Sequence, residues 1–246
     1  MNTVLGFGLL LLAAGLLLLF TFRAQKVKSF FRTIPAYTRL QQSIDLTVED
    51  GTRLHISLGR GSLQKPQGAA TLAGLGMLRH TSERTALSDR APIVTSGDGT
   101  LAILSRDTLL AAYKAAGAEE LYNPANGQLA GLTPFSYAAG SIPTIRDETA
   151  STNIILGNFG SEVSLLADAS ERANTFSVGA ADAPAAQAIL YASAGAPLIG
   201  EELFAAGAYT SANGPHKASL RVQDILRWLV ILVIVGGSVL KLAGVL

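Results

Sequence analysis

The chain has 246 residues, of which 49% are hydrophobic and 15% charged, and it contains no cysteine. Lys and Arg total 19 against 18 Asp and Glu, a formal net charge of +1. That balance gives no electrostatic basis for binding nucleic acid, and the lack of cysteine excludes disulfides, thiolate nucleophiles and Cys-bound zinc.

The first element is apolar. Thr3–Phe22 carries no charge in 20 residues, and at about 1.5 Å per helical residue it covers roughly the 30 Å of a bilayer core. Positive charge follows the run instead of preceding it, and Phe20, Phe22 and Arg23 make a poor cleavage site, so a retained anchor is expected rather than a signal peptide. A basic segment, 23–42, comes next, with Arg23, Lys26, Lys28, Arg32 and Arg39.

A folded domain is expected over 43–218. Ile44, Leu46 and Val48 alternate, Asp50-Gly51 follows, and Leu54, Ile56 and Leu58 alternate again, which predicts a β-hairpin with a type I′ turn. Gly59-Arg60-Gly61 ends the second strand. Ala69–Leu87 reads as a helix, Ile93–Ser96 as a buried strand, and Leu101–Leu104 as its partner across Gly97-Asp98-Gly99. Ser105 is a plausible N-cap for a helix Arg106–Ala116, stopped by Gly117. Asn123-Pro124, Asn126-Gly127 and Thr133-Pro134 then mark a loop-rich stretch. Beyond it the chain reads strand Asn153–Leu156, helix Ser161–Ala173, strand Thr175–Val178 and a helix from Asp182 and Pro184, a rhythm that implies parallel crossover units. A short helix near Gly200–Tyr209 leads into the last segment.

From Ser219 onward, Val222, Ile225, Leu226 and Leu229 keep helical spacing into a second apolar run, Trp228–Leu246, so 219–246 is expected to be one helix entering the bilayer. Arg227 and Trp228 suit one interface, and Lys241 can reach the other with its ammonium. The expected class is therefore α/β, an N-terminal β-hairpin plus βα units around a mixed or parallel sheet, flanked by one transmembrane helix at each end, 1–22 and 219–246. Basic residues cluster on the inner flanks of both spans, adding Lys217, Arg221 and Arg227 to those above. The positive-inside rule then makes this a two-pass protein of the cell membrane with its central domain cytoplasmic.

The strings GTRLHISLGRGSL, TPFSYAAG, LGNFGSEVSLL, AQAILYASAGAPLIGEELFAAGAY and ASLRVQDILRWL resemble an uncharacterised prokaryotic family of two-span membrane proteins. The resemblance runs from about Gln41 to Leu240. It implies the membrane topology and a domain of unknown function, and brings no catalytic residue or cofactor.

Candidate sites are few. Gly157-Asn158-Phe159-Gly160 precedes a helix starting near Ser161, whose free amides suit an anion, yet Glu162 opposes one and a plain strand–helix turn explains the glycines as well. Gly59-Arg60-Gly61-Ser62 could form a backbone nest beside a guanidinium, against the simpler role of a strand end. The ligand candidates are thus Gly157, Gly160, Ser161 and Arg60. Gly97–Thr100 lacks calcium-loop spacing, and His55, His80 and His216 lack metal-ligand spacing. His55 lies on the polar side of its strand, where a hydrogen bond or solvent is expected. Glu201-Glu202 reads as a solvated helix start. Phe135, Tyr137, Ala138, Ala139 and Gly140, with the Ala-rich run Ala183–Ala196, suit close packing within the fold or between subunits. No catalytic residue, metal or cofactor is indicated, which favours a non-enzyme. The leading expectation is a structural or scaffolding protein that self-associates on the bilayer as a homo-oligomer; the alternative is a membrane-tethered module binding a small ligand or nucleotide.

Overall fold

A computed structural model describes residues 2–24, 32–63, 68–147, 150–210 and 214–243. In chain order these form α1 (Asn2–Ala24), α2 (Pro35–Glu49), β1 (Arg53–Gly59), α3 (Gly68–Thr85), β2 (Ile93–Ser96), α4 (Gly99–Ala115), β3 (Gly127–Leu129), α5 (Pro134–Asp147), β4 (Ala150–Asn158), α6 (Val163–Arg172), β5 (Phe176–Ala181), α7 (Pro184–Ser193), β6 (Ala196–Leu198), α8 (Glu202–Thr210) and α9 (Gly214–Leu242). Two 3-10 turns, Glu119–Leu121 and Pro124–Asn126, lie between α4 and β3. The chain divides into two compact units, one of residues 33–210 and one combining 1–32 with 211–246.

The 33–210 unit is built on a six-stranded sheet in the order β3-β2-β1-β4-β5-β6, parallel at each pairing. Each parallel step needs a crossover helix, and a right-handed crossover puts the helix on a face set by the direction of travel. Successive strands are added outward in one direction from β1 to β3 and in the other from β4 to β6, so α3 and α4 cover one face and α5, α6 and α7 the other. The result is a doubly wound α/β sandwich whose order matches dinucleotide-binding sheets.

Register assigns side chains to the faces, because paired residues share a side. Ile56 pairs with Val94 and Ile154, and Ile154 with Val178, giving an apolar face. His55 pairs with Asn153 and Ile93, Ser57 with Thr95 and Ile155, and Asn153 with Ser177, giving a buried face on which polar residues stand among isoleucines. α3 comes close to the apolar face: a Cβ on Gly74 would lie 2.8 Å from the Leu156 carbonyl.

The expected N-terminal hairpin does not form. Residues 43–49 belong to α2, which buries Tyr37, Leu40, Ile44 and Thr47 at helical spacing. Asp50-Gly51 is the stop of that helix. Gly51 takes φ +62°, its N–H bonds the Val48 carbonyl, and the Thr52 N–H reaches back to Thr47, the paired bonds of a Schellman cap. α4 and α6 end in the same way at Gly117 and at Asn174, whose φ is 51°. Leu101–Leu104 is not a strand either. Asp98 accepts a bond from the Leu101 N–H at 3.0 Å and caps α4, which starts at Gly99, seven residues before the expected Arg106.

The stretch expected to be loop-rich holds β3 and α5. Pro134 opens α5, and Tyr137, Ala138, Ser141 and Ile145 are buried along one side of it. At the other end of the unit, the Tyr37 hydroxyl donates to the Glu202 carbonyl and its ring stacks on Tyr209 with centroids 5.0 Å apart, joining α2 to α8.

In the other unit, α9 contains the one helical stretch among the described residues that is long and apolar enough to cross a membrane, His216–Leu242, with a mean hydropathy of 2.1. α9 is continuous from Gly214 to Leu242; residues 244–246 of the expected span lie outside the described residues. The counterpart in α1 is shorter, Gly6–Phe22, and at about 1.5 Å per residue it falls a few ångströms short of a roughly 30 Å core. α1 and α9 pack against each other.

Candidate functional site

Strand order reverses between β1 and β4, and in such sheets a crevice opens beyond the carboxyl ends of the strands at the reversal. The chain is stitched tightly there. The Arg60 N–H donates to the Asn158 carbonyl at 3.0 Å, and the Gly97 N–H to the Gly59 carbonyl at 2.8 Å. Gly59 has φ +70°, and a Cβ on it would fall 2.1 Å from the Asn158 carbonyl oxygen. A Cβ on Gly157 would fall 2.2 Å from the Leu58 carbonyl oxygen. These two glycines are therefore explained by contact between strands.

The candidates Arg60, Gly157, Gly160 and Ser161, distant in sequence, meet at this point. Arg60 leaves β1 and its Nε lies 3.5 Å from Oε1 of Glu162, just past β4. Glu162 is only 2% exposed, while Arg60 is 28% exposed. The same Glu162 oxygen accepts the Gly160 N–H at 3.0 Å. The amide that the sequence offered to an external anion thus holds an internal one. Ser161 lies exposed beside this pair. The stem of Arg60 lies over Gly97 so closely that a Cβ there would be 2.3 Å from Arg60 Cγ.

Three further residues join the rim. Asn158 donates both its bonds, at 3.0 and 2.8 Å, to the carboxylate of Asp182, which directly follows β5. Asp98 follows β2. The rim therefore carries Arg60 against Glu162, Asp182 and Asp98, an excess of negative charge that disfavours a bare polyanion and suits a ligand rich in hydroxyl donors. Sequence reading missed Asn158 and Asp182. The available signal was position: each ends or immediately follows a buried parallel strand.

A second polar cluster lies under α5 and α6. His55 is fully buried. Its Nδ1 lies 2.9 Å from Asn153 Oδ1 and its Nε2 lies 3.0 Å from Thr95 Oγ1. Asn153 Nδ2 donates to Ser170 Oγ at 2.7 Å, and the Tyr137 hydroxyl accepts the Gly59 N–H at 3.2 Å beside Thr95. Because Asn153 Oδ1 only accepts, Nδ1 carries the proton and Nε2 accepts from Thr95. Burial pushes the His55 pKa down to about 4, partly offset by the Asn153 bond, and burial raises that of Tyr137 against its hydrogen bonds. Thr95, His55 and Asn153 have the order of a hydroxyl, its base and an orienting group. All three are closed to solvent, so no substrate reaches them, and the chain of bonds serves to join β2, β1, β4 and α6. The expectation for His55 resolves as a hydrogen bond, not exposure.

Among the described residues no three His, Asp or Glu side chains group as metal ligands. Of the residues expected at a membrane interface, Lys26 and Lys28 lie outside the described residues, and Arg23 lies in the last turn of α1. Trp228 is 70% exposed, Arg227 lies 3.6 Å from Asp224, and Lys241 is in the last turn of α9. Glu202 opens α8 and its carboxylate accepts the Ile199 N–H at 3.1 Å.

Fold and rim together define a doubly wound α/β protein with a cluster of polar and charged side chains at the strand reversal and a long apolar C-terminal helix. Over residues 1–246 the chain matches DUF6754, a domain of unknown function, and it belongs to that family. No curated protein and no solved structure matches it.

Proposed function

We propose that this protein is a membrane-tethered module that binds a small hydroxyl-rich ligand, of the nucleoside or sugar class, at the carboxyl ends of β1 and β4. The observation that carries the reading is the convergence of Arg60, Asn158, Glu162 and Asp182 at the reversal of strand order. In this reading α9 is the anchor and α1 its second span, and the basic residues flanking them support a cytoplasmic side for 33–210. Thermal-shift titration of the full chain with nucleosides, nucleotides and sugars tests the binding. A saturable rise in Tm, lost in Asp182→Asn and Arg60→Ala, is expected; no shift with any class near 1 mM removes the reading. Because the chain has no cysteine, a single cysteine placed at Ser62 or at Asn2 reads sidedness with an impermeant thiol reagent. Labelling of Ser62→Cys only after the membrane is opened is the expected result in intact cells.

A second reading, a self-associating scaffold, rests on exposed apolar side chains at the β3 edge. Leu129, Leu132 and Phe135 are 46%, 66% and 68% exposed, and a short edge strand with apolar neighbours is prone to pairing. Native mass spectrometry of gently extracted protein decides it. An oligomer that dissociates in Phe135→Glu supports the scaffold, and a monomer throughout removes it.

A further inference from the structure

The amino ends of β4 and β5, opposite the crevice, carry a cleft of about 350 Å³ beside α2. Arg39, Ser43, Leu46 and Asp50 line it from α2, and Ser151 and Phe176 from the strands. Its hydroxyls are already tied together: Thr47 Oγ1 donates to the Ser43 carbonyl at 2.7 Å and lies 3.0 Å from Ser151 Oγ, which lies 2.6 Å from Thr52 Oγ1. The floor is thus formed without a ligand. Leu46, 55% exposed, and half-buried Phe176 supply apolar surface. The two ends differ in charge. Arg39 and Asp50 are eleven residues apart on α2, about 16 Å along a helix. Arg39 is exposed and gives one bond, 3.3 Å long, to the Gly195 carbonyl, which leaves guanidinium N–H groups available.

We infer that this cleft binds a small anionic amphiphile, with a carboxylate or phosphate head at Arg39 and an apolar body along Leu46 and Phe176. The reverse orientation sets the anion beside Asp50, so charge fixes the direction. The volume is at the low end of the roughly 300–1,000 Å³ of ligand pockets, which suits a short chain or the end of a longer one. Bilayer lipid and soluble carboxylates share this chemistry.

The test uses the full chain in phosphatidylcholine nanodiscs and an octanoic acid bearing a terminal diazirine, with adducts mapped by peptide mass spectrometry. Labelling at Leu46 or Phe176 is expected, competed by octanoate and octyl phosphate but not by octanol or acetate. Arg39→Gln should lower the yield about tenfold, equivalent to roughly 1.4 kcal/mol, with thermal unfolding unchanged. Adducts confined to α1 and α9, equal competition by octanol, or full labelling of Arg39→Gln each overturn the inference. Delivering the same photoreactive acyl chain as a lysophosphatidate within the nanodisc separates the sources. Labelling from that arm assigns a bilayer lipid, and labelling from the aqueous arm alone assigns a soluble carboxylate.

Discussion

The two faces of the sheet are both buried, but only one of them carries a hydrogen-bonded polar chain. One carries Leu54, Ile56, Leu58, Val94, Ile154, Leu156 and Val178; the other carries His55, Ser57, Thr95, Asn153 and Ser177 among Ile93 and Ile155, the latter part of the apolar cluster under α5 to α7. Apolar contact is non-directional and scales with area removed from water, so the first face supplies stability without favouring one strand offset. Hydrogen bonds require fixed partners, and an unmade one in the interior is costly. The Thr95–His55–Asn153–Ser170 chain is satisfied only when β2, β1, β4 and α6 stand in this register. Both faces therefore contribute burial energy, the second through the Tyr137, Ile155, Phe159 and Leu166 cluster, and the polar chain adds uniqueness of alignment to the second.

The largest expected effect lies on the apolar face. Ile154 is fully buried at the centre of the sheet, and Ile154→Ala should cost about 3–4 kcal/mol, transfer and cavity together. Urea-dependent pulse proteolysis of the full chain in detergent measures it. A cost below about 1 kcal/mol would break the assignment of stability to that side.

The polar face should reveal itself through pH. His55 titrates near 4 when folded against an ordinary 6.5. Between these values the unfolded chain binds the extra proton. The contribution is therefore fully present above pH 6.5, falls as pH drops, and is lost by about pH 4. The difference amounts to about 3 kcal/mol. In His55→Gln this part of the pH profile should disappear. An unchanged profile would mean that protonated His55 is accommodated and that the bond chain is looser than its geometry.

Where the two faces end, at the β1–β4 contact, Gly59→Ala should cost about 2 kcal/mol. It puts a Cβ at φ +70° and within 2.1 Å of the Asn158 oxygen. It should also weaken binding at the crevice, because Arg60 is the next residue. Loss of stability with no change in ligand-induced Tm shift would separate the strand contact from the site.

How far the sequence revealed this molecule depends on how local each signal is. The βα rhythm of 153–190 was legible because its strands are short, continuous apolar runs and its helices begin at plain boundaries, Asp182-Pro184 among them. The segment 43–51 was not. Ile44, Leu46 and Val48 alternate as in a strand, while Tyr37, Leu40, Ile44 and Thr47 follow helical spacing, and Asp-Gly serves equally as a hairpin turn or a helix stop. Tertiary burial of Tyr37 and Leu40 decides between them, and no seven-residue window contains it. α5 was hidden because Thr133-Pro134 reads as a breaker, although Pro134 starts the helix. Arg60 and Gly160 were legible as isolated candidates. Their meeting at Glu162 was not, since it depends on β1 and β4 being neighbours, a fact of strand order with no local mark.

The smallest effect tests whether packing, and not backbone preference, sets the behaviour of the apolar side. α3 carries Gly74 and Gly76 two residues apart. Gly74 faces the sheet, where a Cβ meets the Leu156 carbonyl at 2.8 Å and Leu58 Cδ2 at 3.1 Å; Gly76 has nothing within 4 Å. Helix propensity alone favours alanine over glycine by about 1 kcal/mol at both positions. Gly76→Ala should therefore stabilise by up to about 1 kcal/mol. At Gly74 the same change forces α3 away from β4, and the gain should reverse into a loss. Opposite signs at these two positions, read in one proteolysis series, would show close helix–sheet approach to be a requirement of the apolar face; stabilisation at both would show that α3 rides loosely on it.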